Sequence, residues 1–172
     1  MRIAILDDYQ DLALQSADWS EVRSLGEITV FKDTITDQDS LRERLKPFDV
    51  LCVMRERTPL HGELIRALPN LKLIVTTGKR NAAIDVATAT ELGITVCGTE
   101  SPSTATPELT FALMLGLARN IVAENASMKA GGWQIGLGQD LAGSTLGIIG
   151  LGRLGANIAR IAQAFGMHVT AW

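Results

Sequence analysis

The stretch from Thr145 to Trp172 constrains this chain more than any other. Thr145 to Ile149 is short, apolar and β-branched, the pattern of a buried parallel strand. Gly150, Gly152 and Gly155 follow at GxGxxG spacing. From Arg153 the period becomes helical, with Leu154, Ile158, Ile161 and Phe165 on one face and Gly166 where a helix stop belongs. His168 to Ala171 reads as a second strand. The segment is therefore expected to be a right-handed βαβ unit.

Backbone geometry gives that unit its chemistry. Gly150 permits the tight turn, Gly152 lets a diphosphate approach the main chain, and Gly155 allows close packing of helix on strand. The free N–H groups of the first helical turn, and a dipole of about half a positive charge, point at the phosphates. The strand, helix and second strand around the glycines supply the context that a bare GxGxxG lacks. The alternative is a glycine-tolerant βα turn with no ligand. An acid for the adenosine ribose is due about 20 residues past the glycines. Trp172 stands just before that place and cannot take the role, so NAD and NADP are not separated.

The chain has 172 residues, 47% of them hydrophobic, with a net charge of −3 and acids and bases interspersed. That balance gives no footprint for nucleic acid or an anionic membrane. Met1 to Leu6 runs straight into Asp7 and Asp8, unlike a signal segment. The strongly apolar helical run Leu109 to Ala118 is too short for a bilayer span, which needs roughly 20 residues. Cys52 and Cys97 sit in apolar strand-like segments and are expected to be buried thiols in a reducing cytoplasm. His61 and His168 have no Cys or His at ligand spacing, so no metal site is indicated.

Residues 1 to 100 alternate strands and short helices. Strands are expected at Arg2–Leu6, Ile28–Phe31, Val50–Met54, Leu71–Thr76 and Ile94–Cys97. Helices are expected at Ser16–Leu25, after an N-cap at Thr36 with Leu41 and Leu45 inward, at Pro59–Leu68 and at Ile84–Leu92. Such alternation implies a flavodoxin-like α/β domain, its parallel sheet covered on both faces. Ligands of that architecture bind at the carboxyl ends of the strands. Two loops there, Met54–Thr58 and Thr76–Asn81, set arginine or lysine beside backbone donors, which suits a carboxylate or phosphate. A solvated basic loop is the plainer alternative.

Residues 101 to 172 form the second part. Ser101 to Pro107 reads as a boundary, with Thr106 as N-cap and Pro107 at the first helical position. The helix from Leu109 to about Ala126 is apolar on nearly every side, which predicts burial between layers or against a partner. It is expected to connect the two domains and to help form a subunit interface. The fold expected is thus a flavodoxin-like parallel-sheet domain followed by the first βαβ of a Rossmann dinucleotide-binding domain.

These blocks together resemble the D-isomer-specific 2-hydroxyacid dehydrogenases, and most closely the D-3-phosphoglycerate dehydrogenase-like members. The resemblance rests on Val53-Met54-Arg55 with Thr58, on Leu73 to Gly78 leading to Ile84-Asp85, and on Gly93-Ile94-Thr95-Val96. It continues through Pro107 to Thr110, Leu117-Ala118-Arg119, Ala126 to Lys129, Gly132-Trp133 and Leu146 to Gly155. It implies an enzyme with its active site between two domains, reducing 2-keto acids or oxidising D-2-hydroxy acids with NAD, NADP not being excluded, and working as a homodimer. By the same resemblance Arg55, Gly78, Lys79 and Arg80 would face the substrate. Lys79 would also lie near the nicotinamide. Thr110, Gly150, Gly152, Arg153, Leu154 and Gly155 would hold the cofactor.

Two departures stand out. The family usually has a second glycine where Arg80 stands, and Asp-Asn or similar where Ala82 and Ala83 stand. Lys79 and Arg80 would then favour a substrate with a second anionic group. The family's catalytic arginine, glutamate and histidine match nothing here and would follow Trp172, so no catalytic residue is assigned. The chain reads as an N-terminal portion, expected to be inactive alone and to associate. A reading of another class is a non-catalytic NAD(H)-sensing protein, like the corepressors built on this fold.

Overall fold

The structure, a computed structural model, describes residues 1–102 and 104–172. Ser103, part of the stretch expected to be a boundary, lies outside them. The chain divides into two compact units, Met1–Ser101 and Pro102–Trp172.

The first unit is built on five parallel strands: β1 Arg2–Ile5, β2 Glu27–Val30, β3 Val50–Val53, β4 Leu73–Thr76 and β5 Thr95–Gly98. Their order is β2-β1-β3-β4-β5, the flavodoxin-like arrangement expected from the alternating pattern. Order reverses between β1 and β3, so the loops leaving those two strands part and open a crevice.

Between the strands lie α1 Ser20–Leu25, α2 Gln38–Leu45, α3 Gly62–Arg66 and α4 Val86–Glu91. One sheet face, carrying Ala4, Leu51, Val53 and Ile74, packs against Leu41, Leu45, Leu64, Ile65 and Ala89 of α2, α3 and α4 in one continuous core. Fully burying a leucine of this kind contributes on the order of 2 kcal/mol.

The other face corrects the expectation of two covered faces. Ile3, Ile5 and Val50 are buried there, but Leu73 and Val75 are half-buried and Thr95 and Cys97 exposed. Cover comes from the segment after β1, where Leu12, Ala13 and Trp19 line a cavity of about 470 Å³ over Ile5, Cys52 and Val75. Cys97 therefore corrects the expectation of two buried thiols: it lies on an edge strand at the uncovered side. Cys52, nearer the sheet centre, is half-buried, and burial pushes its thiol up to about 11.

Helix boundaries correct the expected ones where a side chain makes a better offer. The first helix begins at Ser20, not Ser16, because Asp8 accepts the Leu12 and Ala13 N–H groups and holds the preceding residues in turns. The cap of α2 is Asp37, not Thr36; its carboxylate accepts the Ser40 N–H at 2.8 Å. Pro59 and Leu60 are not helical. Leu60 makes a parallel bridge to Ile84, accepting the Asp85 N–H and donating to the Ala83 carbonyl. Helix α4 accordingly starts at Val86, capped by Asp85.

The second unit holds α5 Ala105–Ala118, α6 Ile121–Lys129, β6 Thr145–Ile148, α7 Arg153–Ala164 and β7 His168–Ala171. Its parallel β6-β7 pair bears a small core of Phe111, Ala162 and Met167, joined by Leu146, Ile158, Ile161 and Val169. Phe111 stacks on Phe165 with centroids 5.3 Å apart. The single long helix expected from Leu109 is instead two. Asn120, in the left-handed conformation at φ 51°, ends the first run, and Thr104 rather than Thr106 occupies the N-cap position. Only Pro107 and Phe111 of α5 are buried, while Leu109, Leu113, Leu117, Ile121 and Val122 are exposed. Among the described residues no helix is long and apolar enough to cross a membrane.

Candidate functional site

In the first unit the candidate residues lie on the loops leaving β3 and β4. Arg55 follows β3 with φ 53°, a conformation that side chains other than glycine or asparagine seldom adopt. Three contacts hold it there. Its N–H donates to Thr77 Oγ1 at 3.1 Å, its carbonyl accepts from Asn81 Nδ2 at 2.6 Å, and its Nη1 donates to the Thr77 carbonyl at 3.4 Å. Asn81 is buried and ties three places together, also donating to Thr76 Oγ1 and accepting the Ala83 N–H. The guanidinium thereby lies over Gly78. A Cβ on Gly78 would push the Arg55 guanidinium aside, and φ at Gly78 is +93°, so the backbone there calls for glycine. The Gly78 N–H donates to Thr99 Oγ1 at 2.9 Å.

The structure thus brings Arg55 and Gly78 into contact. Lys79 instead pairs with Glu100 at 3.2 Å, both side chains being well exposed. An exposed pair of this kind is worth about 0–1 kcal/mol and yields readily to a competing anion. Arg80 is exposed and makes no ion pair among the described residues. Lys79 and Arg80 line a cavity of about 420 Å³ with Thr76, Asn81, Val96 and Gly98. The cluster therefore gathers Arg55, which pairs with Glu56 at 3.6 Å, Lys79 and Arg80 at one end of the sheet, a set able to bind carboxylate or phosphate.

Sequence reasoning passed over one residue of this end. Asp7, two residues after β1, is only 1% exposed and has φ 59°. Its carboxylate accepts from Thr34 Oγ1 at 2.6 Å and Thr58 Oγ1 at 2.7 Å. Its carbonyl accepts from Arg57 Nη1 at 2.9 Å. Arg57 also donates to the Tyr9 hydroxyl at 2.9 Å and lies 4.4 Å above the Tyr9 ring. An acid ending a buried strand beside the order reversal was the available signal.

In the second unit the candidate residues form the bend between β6 and α7. Gly150 has φ +90° and donates to the Trp172 carbonyl at 2.8 Å, which carries the chain off the strand. Gly152, extended at φ −77°, is the N-cap of α7, and a Cβ there would meet nothing within 4 Å. No side chain caps this helix, and the N–H groups of Arg153 and Leu154 have no acceptor among the described residues. The first turn thus keeps free donors at the positive end of its dipole. A Cβ on Gly155 would collide with the Gly150 carbonyl oxygen and stand 3.3 Å from Ile148 Cγ2. These features fit a diphosphate: donors without partners, open space before them, and a helix start drawn against the strand. Thr110 lies apart from the bend in the chain, in α5, where its hydroxyl donates to the Thr106 carbonyl at 2.8 Å.

The chain is similar to several known proteins. The family model described as D-isomer specific 2-hydroxyacid dehydrogenase, NAD binding domain, matches residues 111–172. D-3-phosphoglycerate dehydrogenase of Methanocaldococcus jannaschii is 39% identical over 154 residues, covering 88% of this chain and 29% of the relative. Hydroxypyruvate reductase of Thermotoga maritima is 40% identical over 141 residues, 79% of this chain and 45% of the relative. The crystal structure of phosphoglycerate oxidoreductase from Vibrio cholerae O395 superposes with TM-score 0.86 at 41% identity, over 100% of this chain and 56% of that one. The chain spans about half the length, or less, of the proteins it matches.

Proposed function

The chain belongs to the D-isomer-specific 2-hydroxyacid dehydrogenase family, and from that premise we propose that it serves an NAD(P)-dependent oxidoreductase interconverting a 2-keto acid and a D-2-hydroxy acid. The observation that carries the reading is the uncapped start of α7, with open space at Gly152 and a close approach that only glycine allows at Gly155. A bound nicotinamide dinucleotide would supply or accept the hydride. Of this chain's own groups, the Arg153 and Leu154 amides hold the diphosphate. Arg55 beside Gly78 holds the acid's carboxylate. Lys79, released from Glu100, and Arg80, which makes no ion pair among the described residues, meet a second anionic group, so the substrate class is a dianionic 2-keto acid.

The test is a panel of 2-keto acids with NADH and NADPH on the complete gene product. Failure of every acid to support oxidation of either cofactor would end the enzymatic reading. In the same assay Arg80→Gly is expected to lower kcat/KM for dianionic over monoanionic acids, and an unchanged ratio would end the claim about substrate class.

Two further parts of the reading concern the chain itself. Neither His61, at the start of α3, nor His168, at the start of β7, makes a hydrogen bond to a carboxylate among the described residues. A proton-transferring histidine paired with an acid is what the family's chemistry requires, so residues 1–172 alone are expected to be inactive. Turnover of NADH with glyoxylate or hydroxypyruvate by that chain would contradict this. The exposed apolar residues of α5 and α6 form a patch of the kind that marks an interface, and a second copy of the chain is its proposed partner. Two free thiols suit a reducing, cytoplasmic setting.

A further inference from the structure

We propose that Asp7 is a positioning residue, which seats the loop after β3 so that Arg57 is held at the crevice beside β1 and Arg55 over Gly78 beside β4. The inference rests on the anion-binding reading given above and deepens it. Four observations carry it. Asp7 is buried, and a carboxylate out of water must be fully engaged. Its two oxygens are engaged at opposite ends of the site, one by Thr34 after β2 and one by Thr58 at the end of the Arg55–Arg57 loop. Its carbonyl, turned by the left-handed backbone at φ 59°, takes Arg57 Nη1. The crevice beside it, lined by Asp8 and Arg57, is the place where strand order reverses, which in this architecture is where ligands bind.

The consequence is a rigid frame. Arg57 is held by the Asp7 carbonyl, the Tyr9 hydroxyl and the Tyr9 ring, and Arg55 by Thr77 and Asn81. Thr58 anchors the loop's far end to Asp7, so loss of that carboxylate frees both arginines from one side. Preorganised guanidinium groups bind an anion without the cost of ordering flexible side chains.

The test is phenylglyoxal labelling of the purified chain, read at Arg55 and Arg57 by peptide mass spectrometry, with 3-phosphoglycerate as the competing anion. In the unaltered chain the anion is expected to slow labelling at both arginines. Asp7→Ala is expected to raise the half-protecting concentration about tenfold, the scale set by losing a hydrogen bond to a charged group. Asp7→Asn keeps an acceptor and tolerates the left-handed backbone, so it should restore protection to within about threefold. Asp37→Ala, which removes the cap of α2 and so lowers thermal stability, should leave protection alone. Should Asp7→Ala fail to fold, Thr58→Val removes the same link while keeping side-chain shape. Protection that Asp7→Ala or Thr58→Val leaves unmoved, or that falls as much in Asp37→Ala, would overturn the role of Asp7 alone. Absence of protection in the unaltered chain would overturn the anion site and, with it, this inference.

Discussion

Gly152 and Gly155 belong to one motif, yet their alanine variants should fail in opposite ways. At Gly155 an added Cβ falls inside the 3.0 Å below which Cβ atoms do not approach, and its obstacle is the Gly150 carbonyl oxygen. A backbone oxygen cannot rotate away, so relief requires lifting α7 off β6, where Leu146, Ile158 and Ile161 join the small core. Overpacking of this sort costs about 1–3 kcal/mol, and the rigid obstacle puts Gly155→Ala near the top of that range. For a unit of this size each kcal/mol lowers Tm by about 4–8 °C, so a drop of roughly 10–20 °C is expected. At Gly152 the added methyl meets nothing within 4 Å and φ of −77° suits alanine, so Tm should stay within about 2 °C. That methyl instead occupies the space before the free amides. Displacing a diphosphate from charge-assisted hydrogen bonds should weaken NADH binding about tenfold or more. Circular dichroism melts and NADH fluorescence titrations of the two variants check both halves. Equal melting losses in the two, or full NADH affinity in Gly152→Ala, would refute the reasoning.

Cys52 and Cys97 should differ in reactivity. With its pKa raised to about 11 by burial, Cys52 is about one part in a thousand thiolate at pH 8. Iodoacetamide should therefore label the exposed Cys97 at least about tenfold faster, as read by mass spectrometry. Acid should weaken the first unit. Asp49, lowered first by its hydrogen bond to Lys72, and Asp85, lowered first by the Thr88 N–H, both have folded values below the ordinary 3.8. Groups depressed on folding add stability above their unfolded pKa and lose it as pH falls through the folded one. Urea midpoints should therefore be flat near neutrality and fall below about pH 4, and Asp49→Asn should flatten that fall. Finally, Leu117 and Val122 are 80% and 81% exposed on α5 and α6, so Leu117→Glu with Val122→Glu should shift sedimentation toward the monomer without lowering Tm.

Much of the fold could be read residue by residue. Strand positions were legible because buried parallel strands are apolar runs, as in Val50–Val53 and Leu73–Thr76. The α7 pattern was legible because its apolar residues repeat at helical spacing and Gly166 closes it at φ +74°. Helix starts were missed where capping competed, since Asp37 outbids Thr36 only once the chain turns to aim its carboxylate at Ser40. The break at Asn120 was hidden because an all-apolar helix carries no phase to interrupt. Asp7 was passed over because its partners Thr34, Arg57 and Thr58 are remote in sequence and meet only when β1 lies between β2 and β3.

Composition and order alone thus determined the alternating α/β plan, the βαβ unit with its glycine bend, and the cations on the loops after β3 and β4. These are local properties: hydrophobic period, turn chemistry and the absence of a side chain are carried by neighbours along the chain. Only the tertiary structure decided that the sheet's second face thins toward Cys97, that Lys79 turns to Glu100, and that Asp7 binds the β3 loop. Each of those depends on which strands become neighbours, and pairing across 21 to 51 residues leaves no periodic trace in a sequence.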